Sequence, residues 1–177
     1  MMRRFLIPLV ILCTVAGGCA MFQSMIKSSF PYTTTFTIPA SAQTGTEYSA
    51  TSNATSFDQL FSKSGDNGDR IAMVRIISAK LMSTNPVDYN IGNISQVNIY
   101  LSKQDGTDEM LVASRGDITS DAGNNIVLDF DNSKFLDELV RQPEIRVRMT
   151  YKLRKNFSTD VSLHVIFGLA AYPKSDK

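Results

Sequence analysis

Tryptophan is absent from this 177-residue chain, histidine occurs once, at His164, and cysteine only twice, at Cys13 and Cys19. Everything beyond residue 19 therefore lacks a thiol, which excludes disulfides, Cys metal ligands and a Cys–His nucleophilic couple from the folded part. A single imidazole excludes paired-histidine zinc sites. A dominant charge is also missing: 18 Lys+Arg against 17 Asp+Glu leave a net +1. Nucleic acid is not an expected partner, because phosphate binding needs a marked basic excess. No apolar run approaches the roughly 20 residues of a membrane-spanning helix; the stretch Phe5–Val15 is shorter and contains Pro8. Neither Gly-X-Ser-X-Gly, His-Glu-X-X-His, a phosphate-binding glycine loop nor a dinucleotide fingerprint occurs, so no catalytic residue and no cofactor is expected.

What is present begins with Arg3 and Arg4, the apolar run Phe5–Val15, and then Ala16-Gly17-Gly18-Cys19. A basic start, a short apolar core and a small-residue end are the parts of a secretory signal peptide. The last four residues resemble the lipobox of bacterial lipoproteins, with Ala16 where that family most often has Leu. The resemblance implies a signal peptide over 1–18, removed in the mature protein, and a Cys19 that carries a diacylglycerol thioether and an N-acyl chain. Two or more acyl chains, at about 0.8 kcal/mol per buried methylene, anchor a protein for good where one does not. Ala20 rather than Asp after the cysteine implies the outer membrane, and the absence of an acidic cluster over 20–23 implies attachment facing the periplasm. Without the leader the side-chain balance is 16 − 17 = −1.

Residues 19–31 read as the lipidated Cys and a tether; Met21, Phe22, Met25 and Ile26 at helical spacing leave open an amphipathic patch on the lipid surface. A domain over 32–173 follows, then a polar tail, 174–177. Thr-rich alternation predicts a strand from Tyr32 to Pro39, and the Ser/Thr/Ala/Gly/Asn composition of 41–56 predicts a loop or irregular edge. Ser56-Phe-Asp-Gln59 is a capping box for a two-turn helix. Arg70–Met82 is apolar on both faces, the pattern of a strand covered on both sides. Val97, Ile99 and Leu101 point inward from a strand that pairs, through Asp105-Gly106, with a strand over 109–114. Ile126, Leu128 and Phe130 predict a further strand, and Asp131 or Asn132 predicts the cap of a helix to Arg141. Ile145, Val147, Met149, Tyr151 and Leu153 alternate with polar residues, as do Val161, Leu163, Val165, Phe167 and Leu169, which predicts a C-terminal antiparallel hairpin. The sum is a mainly β chain, a single antiparallel β-sandwich, immunoglobulin-like or jelly-roll-like, of about seven strands with two short helices. It is loosely similar to small β-sandwich lipoproteins of Bacteroidetes.

Arg146, Arg148, Lys152 and Arg154 would stand on one strand face at about 6.5–7 Å spacing, a candidate surface for an anionic partner, or else a solvated face balanced by carboxylates on the next strand. Asp66-Asn67-Gly68-Asp69 lacks the continuation of a calcium loop and reads as a turn. Asp129 and Asp131 are spaced for a carboxylate pair, though a strand end that caps a helix explains them. His164 reads as a surface histidine. The expected function is a lipid-anchored cell-envelope binding or assembly module, its partners the membrane and an envelope protein or glycan. A glycan face would draw on Tyr89, Tyr100 and Tyr151, and an envelope hydrolase would need convergent carboxylates in a cleft.

Overall fold

The computed structural model describes residues 28–54, 71–142 and 144–173. The leader, Cys19, the helix expected after Ser56, the Asp66–Asp69 turn and the C-terminal tail lie outside them. Nine strands are present among the described residues: β1 (Ser28–Ile38), β2 (Glu47–Ala54), β3 (Ile71–Asn85), β4 (Ile94–Lys103), β5 (Met110–Arg115), β6 (Asn125–Val127), β7 (Asp129–Phe130), β8 (Ile145–Leu153) and β9 (Val161–Pro173). They form two antiparallel sheets, β1-β9-β3-β6 and β2-β8-β4-β5-β7. The sheets close on one core, with Phe36, Leu81 and Phe167 from the first meeting Ile99, Val147 and Met149 from the second, all buried.

Alternation sets which way each strand faces. Ile145, Val147, Met149, Tyr151 and Leu153 of β8 are buried, as are Val161, Leu163, Val165, Phe167 and Leu169 of β9. The two strands are nevertheless not a hairpin: β8 pairs with β2 and β4, and β9 with β1 and β3. An amphipathic strand specifies the core it faces, not the neighbour it bonds, and these two face the same core from opposite sheets.

Strand β3 corrects a second expectation. Its two apolar faces reflect broken register, not cover on both sides: shifts between Ala72/Arg75 and Ile76/Ser78 change which residues point inward. Val74, Ile76, Ala79 and Leu81 are buried, whereas Met73 and Ile77 are about half exposed, at 45% and 50%. The polar stretch expected as loop or irregular edge contains β2, which pairs with β8 without a register shift from Glu47 to Ala54. Small β-branched and hydroxyl residues suit a strand whose outer face is wet. Strand β1 starts at Ser28, so the sheet takes in the last four residues of the expected tether.

The strand expected around Leu128 divides. β6 pairs with β3, β7 pairs with β5, and between them the Leu128 amide donates to Ala79 O while its side chain is buried in the seam. Of the helix expected from Asp131, only α1 (Asp137–Val140) forms. Asp131 caps a turn instead, accepting from the Ser133 amide at 2.9 Å. Short-range Asx geometry competes with helix initiation and wins here. On the opposite seam β1 and β2 meet through side chains: Tyr32 OH donates to Ala54 O at 2.7 Å, and Thr34 Oγ1 to Ser52 Oγ at 2.8 Å.

The pairings define two ends. Ser28 is level with Ala171 and Ile71 with Pro173 at one end of the first sheet; Ala54, Ile145 and Lys103 end the second sheet on the same side, Ala54 joined to Tyr32 of β1. This root pole also holds α1, because the Leu136 amide donates to Val74 O. The opposite, loop pole collects the segments 86–93, 116–124 and 154–160.

Candidate functional site

The cationic row expected on β8 lies on the outer face of the second sheet, between β2 and β4. Its members have different fates. Arg148 donates through Nε to Glu109 Oε1 at 2.7 Å and through Nη2 to Oε2 at 2.5 Å, and its guanidinium lies 4.2 Å from the centre of the Tyr100 ring on β4. Lys152 stands 3.7 Å from Glu47 on β2. Arg146 lies under the β4–β5 turn, where its charge also bears on Glu109. Arg154 leaves the row: just past β8, it donates through Nη1 to Gly92 O and through Nη2 to Ile118 O, the latter at 2.6 Å. Arg148 and Lys152 thus crosslink neighbouring strands through Glu109 and Glu47.

Hydrogen bonds from Arg148 hold the Glu109 carboxyl below its usual range. A carboxyl depressed in the folded state adds stability that is present above its ordinary value of 4.5 and lost as pH falls through the lowered folded value. The pair is partly exposed, so its contribution is about 1 kcal/mol or less. Glu109→Gln is accordingly expected to lower the melting temperature slightly at pH 7 and to leave it unchanged at pH 2 to 3, as thermal unfolding against pH would show. An equal loss at both pH values would contradict the assignment.

The remaining candidates are dispersed. Asp129 lies 3.4 Å from Arg115, and Asp131 is turned back on Ser133, whose hydrogen bonds hold its carboxyl below the usual range. A general acid of a carboxylate pair needs the reverse shift. His164 Nδ1 is 2.9 Å from Thr35 Oγ1 on the outer face of the first sheet. The three tyrosines share no face: Tyr151 is buried and stacked on Tyr48 at 5.7 Å, Tyr100 lies beneath Arg148, and Tyr89 sits edge-on to Phe157 at the loop pole. Among the described residues no group of three His, Cys, Asp or Glu side chains could hold a metal. A cleft of about 550 Å³ lies at the root pole between the β4–β5 turn and α1, lined by Asp108, Glu109, Asp137, Glu138, Met110 and Phe135.

The most organised polar region is one that sequence reasoning passed over. At the loop pole Asn90 binds two segments together: its Oδ1 accepts from the Gly92 and Gly123 amides at 2.9 and 3.0 Å, and its Nδ2 donates to Ser120 O at 2.8 Å. The Ile91 amide donates to Gly123 O, and the Arg154 amide to Asn93 O, both at 2.7 Å. Ser83 Oγ and Asn124 Nδ2 converge on the Val87 carbonyl at 2.9 and 3.1 Å. The Val87 side chain is 68% exposed. A large apolar side chain is thus presented to solvent on a backbone fixed from two sides. Asn at 85, 90, 93, 124 and 125 is the signal in the sequence, since Asn bonds local backbone where chains turn. The chain matches no protein-family model and no curated protein.

Proposed function

We propose that this chain is a lipid-anchored, non-catalytic binding or assembly module of the bacterial cell envelope, held by Cys19 to the outer membrane and facing the periplasm, on a sandwich of the immunoglobulin-like or jelly-roll-like kind. One observation carries the reading: an ordered sheet begins at Ser28, nine residues after Cys19. A lipid at Cys19 would therefore lie close to the root pole, leaving the braced loop pole with Val87 to meet a partner. Rigid loops bind at lower entropic cost than mobile ones, which supports a binding role for that end. The glycan reading draws little support from tyrosines that share no face.

Intact mass and membrane fractionation of the native protein beside Cys19→Ala test the anchor. Acyl mass and membrane residence in the wild type, with a soluble or leader-retaining variant, are the expected result; identical behaviour without added lipid overturns it. Cross-linking on the same membranes tests the binding half: an adduct formed by the wild type is expected to be lost in Val87→Ser, and equal capture by both overturns the role given to the loop pole.

A further inference from the structure

We propose that the root pole rests on the bilayer that holds the lipid, with Phe135 and Met73 seated at the boundary between headgroups and acyl chains. The inference rests on the anchor reading above and adds an orientation and a contact surface to it. Its first support is register. Ser28 is level with Ala171, and on β3 the residues flanking that level are Ala72, opposite Tyr172, and Arg75, opposite Ala170. Met73 lies between them, 45% exposed. The bond from the Leu136 amide to Val74 O brings Phe135 to the same level, 47% exposed. The Arg75 guanidinium lies 4.3 Å from the centre of the Phe135 ring and holds it in place. Two of the large exposed apolar side chains thus stand where the chain leaves toward Cys19.

The second support is reach. From Cys19 to Ser28 there are 28 − 19 = 9 residue steps, at most about 30 Å of chain at full extension. From Ser28 to Ile38 β1 runs 38 − 28 = 10 steps without a register shift toward the other pole, about 33 Å, and the loops that hold Val87 lie at that far end. A domain standing on its loop pole would lift Ser28 out of reach of its own anchor. Charge does not drive the contact. Asp137 and Glu138 on α1, Asp108 and Glu109 across the cleft, and Glu144 stand among Arg75, Lys103, Lys134, Arg141, Arg146 and Arg148, with Lys103 paired with Asp108 and Arg148 with Glu109, so neither sign dominates this end. Contact therefore comes from apolar burial, and salt should leave it intact.

The chain has no tryptophan, so one reporter can be placed at either pole of the full-length lipidated protein. In vesicles of phosphatidylethanolamine with brominated chains, Phe135→Trp is expected to be quenched and blue-shifted, in low and high salt alike, and Val87→Trp to be neither. Quenching at Val87→Trp, at both positions or at neither overturns the proposal, as does quenching at Phe135→Trp that salt abolishes. Peroxide footprinting of the wild-type side chains gives an independent reading. Met73 should oxidise more slowly on vesicles than in soluble Cys19→Ala, with Met82, further along β3, unchanged; equal rates for Met73 overturn the proposal. Intact mass of the same sample separates the two failures. Absent acyl mass removes the anchor reading and the docking with it, whereas acylated protein with an unquenched Phe135→Trp removes only the docking.

Discussion

Phe167→Ala is expected to destabilise the domain by about 3–5 kcal/mol, the range for deleting a buried aromatic side chain and leaving a cavity. Phe167 is 1% exposed in the middle of β9, level with Tyr32 on β1 and Ala79 on β3, so the void would open at the centre of the first sheet. Single domains have about 5–15 kcal/mol in all, and for this size about 1 kcal/mol moves the melting temperature by 2–4 °C. A fall of roughly 6–20 °C in thermal unfolding follows from the two together. Ile166, the preceding residue, points to the outer face and is half-buried; Ile166→Ala should cost about 1 kcal/mol or less. The contrast between neighbours is the test, because a strand slipped by one residue would reverse it.

Gly92→Ala is expected to cost about 3 kcal/mol or more, from overpacking at 1–3 kcal/mol together with the partly buried hydrogen bonds it strains. A Cβ at Gly92 would stand 2.5 Å from both Thr119 O and Ser120 O, which are backbone atoms of a braced loop and cannot swing aside. Separating the loops would strain the bond from Asn90 Nδ2 to Ser120 O, that from the Gly123 amide to Asn90 Oδ1, and those from Arg154 to Gly92 O and Ile118 O. Gly168→Ala is the control. Its Cβ would meet Ser78 Oγ, the end of a side chain that one torsion moves away, with Ile77 at an ordinary 3.6 Å. Urea unfolding of the two variants should show a large shift in midpoint for Gly92→Ala and a small one for Gly168→Ala. Equal shifts would mean that the loop pole is looser than its hydrogen bonds indicate.

The facing of β4, β8 and β9 was legible because alternation reports burial directly: Val97, Ile99 and Leu101 are inward as their spacing required, and so are the five apolar residues of β8 and of β9. The β4–β5 hairpin was legible for a different reason, since Asp105-Gly106 is a local turn and Gly106 adopts φ 87° within it. Pairing between distant strands leaves no such mark. Ser49, Thr51 and Asn53 read as a loop or irregular edge, and the edge position holds; nothing in their composition records Thr150, Arg148 and Arg146, the partners that make them a regular strand. The candidate site divides in the same way. The cationic row could be read from spacing, but Glu109 lies 39 residues from Arg148, and only the sheet brings that carboxylate to it. Asn90 carried no signal of its own and Arg154 read as one of the cationic row, since what they brace is 30 and 36 residues away.

Local chemistry therefore settled from sequence what depends on the chain's own neighbours: a mainly β chain, the inward face of its long strands and the turn at Gly106. Tertiary structure alone decided what depends on closing loops of dozens of residues: the placing of β8 and β9 in opposite sheets, the crossing at Leu128, the pairing of Arg148 with Glu109 and of Lys152 with Glu47, and the braced loop pole. The reason is that burial acts on each residue through its own side chain, whereas pairing and charge balance belong to partners that meet only when the core closes.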